Sequence, residues 1–179
     1  MCDQSPSRTT NIYGLPLEKC QDDPRDKSGS WDANGKCSDR GENDPGVHQI
    51  CLVLDDKTKN FSGLTGQSNW SASRKGRPHC VCVGAWSLYK TRQRTPEKTI
   101  SANNIPVTPS MNELKCSAIP ETALSEQYLR NWQTWNNHEK KFDLSKNYKF
   151  AMDALVEQCL DQAPSTAARA HLLSLVECL

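Results

Sequence analysis

The stretch that decides the fold is residues 79–86, which read HCVCVGAW. It predicts a short buried strand over residues 80–85, because it is apolar and rich in valine. Side chains alternate between the two faces of a strand, so Cys80, Cys82 and Trp86 are expected on one face. Alpha carbons two positions apart lie about 6.5–7 Å from each other, at the outer limit for a disulfide. We therefore expect no bond between Cys80 and Cys82.

A second strand is predicted at residues 47–54, which read VHQICLVL and have turn signals on both sides. The two stretches carry the strongest strand signals in the chain, and we expect them to pair at the centre of a small sheet. That pairing would place Cys51 near Cys80 and Cys82. The spacing of His48 and Cys51 puts them on opposite faces of a regular strand, which weighs against one site containing both.

Glycine divides the chain, since all nine glycines lie between Gly14 and Gly84. The half with glycine has turns and short apolar runs, whereas the half without it has helical periodicity. This predicts an α+β fold, in which a small, cysteine-rich and loop-rich sheet domain precedes a C-terminal extension of about three helices. The expected parts are a flexible N-terminus at residues 1–10, the cysteine-rich domain at 11–90, a connector at 91–119 and the helical extension at 120–179.

Three amphipathic segments make up the helical extension. The first is predicted from Pro120 to Trp135, the second over residues 144–160, and the third after Pro164 with Ser165 as its N-cap. The first segment has an apolar stripe at helical spacing, formed by Leu124, Tyr128, Trp132 and Trp135. Tryptophan is enriched at interface hot spots, so Trp132 and Trp135 are predicted to bind a protein partner. The alternative is that both residues pack the helices onto the first domain.

Charge and cysteine content limit the partners and the compartment. The net charge is +1 and is evenly spread, which argues against nucleic-acid binding. The apolar runs are too short to insert in a membrane. Nine cysteines are an odd number, and the first ten residues lack an apolar signal region. These features predict an intracellular, reducing compartment, either the cytoplasm or an organellar lumen after removal of a targeting segment.

The cysteines are candidates for a metal site. Cys20, Cys37, Cys51, Cys80 and Cys82 fall within a stretch of residues 20–82. The usual zinc signature contains two C-x2–4-C pairs, and that pattern is absent here. Zinc held by residues that are distant in sequence is therefore one hypothesis. The simpler interpretation is that the cysteines are small buried apolar side chains.

A thiol-dependent site is a second hypothesis. Cys80 or Cys82 would be the nucleophile, with His48 or His79 as the base. Glu18 is a further candidate proton acceptor, although a local pairing of its carboxylate is the simpler interpretation. Phosphate-binding loops, G-x-S-x-G elbows and HExxH helices are missing from the sequence.

Four short motifs resemble a bacterial family catalogued as domain of unknown function 2237. They are Asn11-Ile12-Tyr13-Gly14 with Pro16-Leu17-Glu18 and Cys20, then Gly35 and Cys37, then Asp44, Gly46, His48 and Cys51, and finally Cys80, Cys82 and Trp86. The resemblance covers about residues 11–87 and implies a small α+β domain without a known activity, cofactor or partner. The chain departs from the family where it retains one cysteine after the Gly35 turn and has His79 in place of tryptophan.

The leading prediction is a non-enzymatic cysteine-rich module whose C-terminal helices bind or assemble with protein. The alternatives are a thiol-dependent enzyme or redox protein that uses Cys80 or Cys82, and a zinc-binding module. Metal content and a count of reactive thiols would discriminate among the three.

Overall fold

The computed structural model describes residues 5–23, 32–55, 58, 60–74, 76–94, 113–137 and 139–179. The fold is α+β, as the sequence predicts. The strands are Ile50–Val53 (β1), Pro78–Val81 (β2), Thr134–Asn136 (β3) and Lys141–Asp143 (β4). The helices are Phe61–Leu64 (α1), Val83–Arg94 (α2), Leu129–Trp132 (α3), Tyr148–Gln162 (α4) and Thr166–Glu177 (α5). Short 3-10 turns lie at Gly41–Asn43, Ala72–Arg74, Cys116–Ala118, Glu121–Leu124 and Glu126–Tyr128.

The sheet of β1 and β2 forms as predicted. The strands are antiparallel and place Cys51 opposite Cys80. The other edge of β1 is covered by the segment around Leu114, which bridges Leu52. β1 begins later than predicted, at Ile50, because the residues before it form a turn.

The strand predicted over residues 80–85 is wrong in its second half. β2 ends at Val81, and α2 begins at Val83. A short apolar run does not distinguish a buried strand from a buried helix. Gly84 permits the helix, because a Cβ there would collide with the backbone carbonyl oxygens of Asn131 and Thr134. Trp86 consequently lies on α2, fully buried.

The helix predicted from Pro120 to Trp135 is also wrong. Two 3-10 turns and the short α3 replace it, and β3 follows. Ser125 interrupts the segment with extended backbone, at φ −105° and ψ 152°. Its hydroxyl donates to the Thr122 carbonyl oxygen at 2.6 Å, an example of the local side-chain bonding that competes with a helix. β3 then pairs with β4 as a hairpin.

The last two helices match the sequence signals. The segment predicted at 144–160 forms α4, and the segment predicted after Pro164 forms α5. Ser165 caps α5, since its Oγ accepts the Ala168 amide at 3.1 Å. The cap satisfies one of the amides that a helix leaves without an intrahelical acceptor.

One hydrophobic core contains residues from both predicted parts of the chain. Trp86 of α2 and Leu155 of α4 are both fully buried in it. The predicted connector starts too early, because residues 91–94 form the end of α2. Its residues 113–119 contribute the buried Leu114 and Ile119. The rest of that connector from residue 95 to 112, and residues 1–4 of the predicted flexible N-terminus, lie outside the described residues. No helix among the described residues is long and apolar enough to span a membrane.

Candidate active site

The candidate cysteines are cross-linked with a single exception. Cys20 is bonded to Cys51, and Cys37 is bonded to Cys80, with Cα–Cα distances of 5.7 and 5.5 Å. Among the described residues, Cys82 is the free cysteine, and it is buried. Cys80 and Cys82 are not bonded to each other, as predicted. Cys80 has no thiol in this state, so the nucleophile hypothesis is left with Cys82.

The candidate metal ligands cluster, but as disulfides. The sulfurs of Cys20, Cys37 and Cys80 lie within 4.8 Å of one another. A cysteine binds metal as a thiolate, and a disulfide sulfur is not one. The zinc hypothesis therefore concerns only a reduced chain, for which it stays a prediction. A third disulfide joins Cys116 to Cys159. The expectation of a reducing compartment finds no support in these bonds.

Cys82 occupies the residue immediately before α2. Its carbonyl oxygen accepts the Trp86 amide at 3.0 Å, which is the first hydrogen bond of that helix. The Cys82 Sγ lies 3.0 Å from Nε2 of His48. The residue is 7% exposed, so the contact is almost shielded from solvent.

The second ring nitrogen of His48 is bound by Asp44. His48 Nδ1 lies 2.6 Å from Asp44 Oδ1, and the His48 amide donates to Asp44 Oδ2 at 2.7 Å. A carboxylate accepts hydrogen bonds, so Nδ1 carries the proton and Nε2 is free to accept from the Cys82 thiol. Asp44, His48 and Cys82 therefore form a continuous hydrogen-bonded chain.

A strained turn places His48. Val47 adopts φ 52°, in the left-handed region that β-branched residues rarely enter. Its carbonyl oxygen accepts the Gln49 amide at 2.8 Å and the Val83 amide at 3.1 Å. The second of these hydrogen bonds links the turn to Val83, the first residue of α2, which follows Cys82 in the chain. Strained backbone of this kind clusters at functional sites, where the surrounding structure maintains it.

Gly46 leaves room for the contact between sulfur and imidazole. A Cβ at this position would lie 2.7 Å from His48 Cε1 and 3.0 Å from Cys82 Sγ. Any side chain would push His48 or Cys82 away. The glycine is therefore required by the close approach rather than by its own backbone angles.

The surroundings of Cys82 keep its thiol protonated. Burial raises the pKa of the Cys82 thiol to about 12, and the Asp44 carboxylate adds to the rise. Burial also tends to raise the pKa of Asp44, but hydrogen bonds from the ring and amide of His48, together with the nearby Arg40 charge, outweigh it and hold the pKa below the usual value. The positive end of α2 stabilises a thiolate by up to ~2 kcal/mol. This is less than the free energy of about 4 kcal/mol to which the raised pKa corresponds, so the thiol stays protonated. The resting Cys82 is therefore a protonated thiol that donates to Nε2 of His48, beside an Asp44 whose pKa is lowered.

A cavity of about 460 Å³ opens beside this chain, and both His48 and Cys82 line it. Its wall includes Trp70, whose ring lies 4.8 Å from that of His79. The volume is in the range of sites that bind small molecules. A ligand in this cavity would meet the Cys82 sulfur and the His48 ring together.

The other predicted site residues lie elsewhere or have other roles. His79 lines the cavity as part of its aromatic wall, next to Trp70. Glu18 is exposed and accepts from the Ser117 hydroxyl at 2.7 Å, so its partner is distant in sequence rather than local. Trp132 is fully buried and donates to the Ala123 carbonyl oxygen. Trp135 is half-buried and donates to the Thr65 carbonyl oxygen. Both tryptophans therefore pack within the chain.

The sequence places Asp44 and His48 in one motif but does not show that Cys82 lies beside them. Asp44 and His48 lie in the motif Asp-x-Gly-x-His, and Cys82 lies in a separate motif 34 residues later. The sequence names His48 as one of two possible bases for Cys80 or Cys82, but the strand predicted for residues 47–54 gives no reason to place it beside either cysteine. The turn at Val47 and the early start of α2 bring His48 to Cys82 instead, and neither follows from residue spacing.

Comparisons with known proteins give no further assignment. No family model, no curated protein and no solved structure matches the chain. The resemblance to the family of unknown function stays a prediction.

Proposed function

We propose that this protein is a cysteine-dependent acyl-transfer enzyme. Cys82 is its nucleophile, His48 its general base and Asp44 the group that orients the base. The hydrogen-bonded chain of these three side chains, at the wall of a cavity, is the observation that supports the proposal. A nucleophile within hydrogen-bonding reach of a base, which a third group orients, is the arrangement that such catalysis requires.

The protonated state of the resting thiol determines the first chemical step. The Cys82 thiol gives its proton to His48 Nε2 as the sulfur attacks a substrate carbonyl carbon. Asp44 stabilises the imidazolium that forms. His48 then gives the proton to the leaving group, and a thioester remains on Cys82. Water or another nucleophile, deprotonated by His48, attacks the thioester and restores the thiol.

The start of α2 supplies donors for the developing oxyanion. The backbone amide of Cys82 lies close enough to its own sulfur to lower the pKa of the thiol in part. Gly84 and Ala85 lie in the first turn of α2, where an α-helix has no intrahelical acceptor for the amides. Amides of this kind stabilise negative charge in the transition state of acyl transfer.

The orientation of His48 favours this chemistry over metal binding. Its two ring nitrogens contact different partners on opposite sides of the ring, Asp44 and Cys82. A metal bound by all three residues would require their donor atoms to converge on one point. Among the described residues, the group whose donor atoms converge is the one with Cys20, Cys37 and Cys80, which are in disulfides.

An oxidising compartment is part of the proposal. Three disulfides support it, since such bonds persist outside reducing compartments. The prediction of a non-enzymatic module with interacting helices stays open as the second candidate. Trp132 gives it little support, because a fully buried side chain cannot anchor a partner without a rearrangement of the core.

Acylation by an activated ester tests the proposed function. We expect p-nitrophenyl acetate to transfer one acetyl group to Cys82, detected by intact mass and peptide mapping. His48→Ala should slow this transfer by about 100-fold or more, the usual contribution of a general base. His171→Ala is the matched control, because His171 also pairs with a carboxylate, Glu121, at 2.9 Å, but outside the site. Equal acylation rates in the two variants, or labelling spread over other residues, would refute the proposal.

A further inference from the structure

A second, larger cleft adjoins the cavity of Cys82. Its volume is about 900 Å³, and it lies between the turn after α1 and the β3–β4 hairpin. Gln67 lines both the cleft and the cavity. Its side chain is fixed, since Nε2 donates to Thr65 Oγ1 at 2.7 Å and Oε1 accepts from Trp70 Nε1 at 3.1 Å. The two spaces therefore meet at a fixed side chain.

The cleft has a rigid aromatic floor. Trp135 and Phe142 are opposite each other on β3 and β4, and both line the cleft. The Arg92 guanidinium lies 5.1 Å from the centre of the Phe142 ring, and its Nη1 donates to the Leu64 carbonyl oxygen at 2.6 Å. These contacts attach the hairpin and the end of α1 to α2, the helix that directly follows Cys82.

Positive charge is concentrated along the two spaces. Arg74 and Arg77 line the cavity, and Arg92 and Lys140 line the cleft. Among the described lining residues, Glu139 is the one carboxylate. The side chains of the cavity carry +2 and those of the cleft +1, which together give +3, compared with +1 for the whole chain. Clefts lined by charge of one sign attract ligands of the opposite sign.

We propose that the cleft binds the non-reacting part of an acidic polypeptide whose acyl group reaches Cys82. This inference rests on the proposed function and adds a substrate class to it. The cavity alone has the volume of a small-molecule site, and the adjoining cleft provides about twice that space. An extended chain advances ~3.3 Å per residue, so several residues are needed to occupy both.

The polar lining of the cleft suits peptide groups. Asn136 is exposed, and its side-chain amide can donate and accept, as a peptide backbone requires. The Asn137 amide is used within the protein, where it bonds Gly66, Glu139 and Lys140 and so fixes that side of the cleft. Acidic side chains would meet Lys140 and Arg92. A neutral polymer would gain nothing from these charges, and for this reason we favour an acidic peptide.

Binding to an inert variant tests the cleft independently of catalysis. Fluorescence anisotropy of the Cys82→Ala protein would follow labelled dodecapeptides that are rich in glutamate, in lysine or in neither. We expect the glutamate-rich peptide to bind most tightly. Lys140→Glu should weaken its binding by about tenfold, through one lost attraction and one new repulsion. Lys141→Glu is the matched control, since Lys141 is exposed on the same hairpin but does not line the cleft, and we expect at most about a twofold effect.

Three outcomes would overturn the inference. The first is an equal loss of binding in the two lysine variants, which would indicate attraction without a site. The second is stronger binding of the neutral or lysine-rich peptide. The third is binding of polygalacturonate, an anionic polysaccharide, in a Lys140-dependent manner when the glutamate-rich peptide does not bind.

The link between the cleft and Cys82 has its own measurement. A thioester of the glutamate-rich peptide should acylate the wild-type Cys82 faster than a neutral peptide thioester, and Lys140→Glu should remove that advantage. Lys141→Glu should retain that advantage and leave acetylation by p-nitrophenyl acetate unchanged. Failure of every acylation with retained peptide binding would refute the proposed function but not the cleft. Acetylation of Cys82 without binding of the acidic peptide would refute the cleft alone.

Discussion

The residues up to 94 and those from 113 onward reach the same core by different means. In the first region β1 and β2 have four residues each, and two disulfides join the preceding loops to them. In the second region α4 and α5 have 15 and 12 residues and satisfy their own backbone. The Asp44–His48–Cys82 chain lies wholly in the first region. Irregular backbone that is cross-linked can hold three side chains in hydrogen-bonding geometry, while the helices of the second region pack against the same core.

The largest effect is expected at the junction of the two regions. Trp132→Ala should lower the free energy of unfolding by about 3–5 kcal/mol, because a fully buried ring is lost and the Ala123 carbonyl loses its donor. Trp135→Ala is the comparison, since the ring is only half-buried, and it should cost less. Urea denaturation of both variants measures the difference. If both variants lost a similar, small amount of unfolding free energy, the second region would not be part of the core.

Two disulfides of equal span allow the regions to be compared directly. Cys37–Cys80 and Cys116–Cys159 both have a sequence separation of 43. Loop entropy therefore assigns each the same stabilisation, about 4 kcal/mol. Cys37→Ala/Cys80→Ala should also abolish acetylation of Cys82, because it releases the loop that carries Asp44. Cys116→Ala/Cys159→Ala should retain acetylation at temperatures where it is folded, and loss in both variants would contradict this division of roles.

The thiol of the first region should titrate far above its ordinary range. Burial raises the pKa of Cys82 to about 12, compared with ~8.5 for an exposed thiol. The stability that comes from the neutral thiol is complete below pH ~8.5 and is lost as the pH rises toward the folded value. At pH ~8.5 the thiolate fraction should be about a thousandfold below that of an exposed cysteine.

The rate of Cys82 alkylation by iodoacetamide measures this titration. In the folded protein the rate should rise with pH without a plateau up to pH ~10, whereas in protein unfolded in guanidinium it should reach a plateau. A plateau near pH ~6 would instead reveal a preformed thiolate–imidazolium pair.

Local signals account for what the sequence predicted correctly. The pairing of β1 with β2 follows from two apolar runs between turns, and α4 and α5 follow from helical periodicity and the cap at Ser165. Each of these depends on residues that are near one another in sequence. The site, in contrast, depends on contacts between residues that are distant in sequence. Cys82 and Asp44 meet only through His48, on a turn whose backbone angles no residue pattern indicates.

The error at residues 80–85 has a clear physical origin. A buried apolar run is compatible with either a strand or a helix, and the chain leaves β2 after Val81 because Gly84 lets α2 approach the backbone near Thr134. This change of direction separates Cys80 from Cys82. The first joins Cys37 and the second faces His48. Disulfide pairing cannot be deduced from cysteine positions alone, so the compartment could not be predicted from an odd cysteine count.

Packing at Gly46 tests whether the first region tolerates any change beside the thiol. Gly46→Ala should cost about 1–3 kcal/mol of stability, the usual range for overpacking, and should slow acetylation of Cys82 by displacing His48. Gly63→Ala is the matched control, because no atom lies within 4 Å of the Cβ it would gain. That variant should be neutral or slightly more stable. Equal acetylation rates in the two variants would mean that the contact between His48 and Cys82 does not limit the reaction.

The smallest effect is expected in the second region, where a single cap can be removed. Ser165→Ala deletes the oxygen that accepts the Ala168 amide and should cost about 1 kcal/mol. Ser174→Ala on the same helix is the control. Its hydroxyl donates to the His171 carbonyl oxygen within the helix, and alanine is the better helix former, so the change should be neutral or slightly stabilising. Thermal unfolding of both variants gives the difference, and acetylation of Cys82 should be unchanged in each. A loss of acetylation in Ser165→Ala would show that the helices of the second region control the geometry of the thiol, and the two regions would then have to be treated as one functional unit.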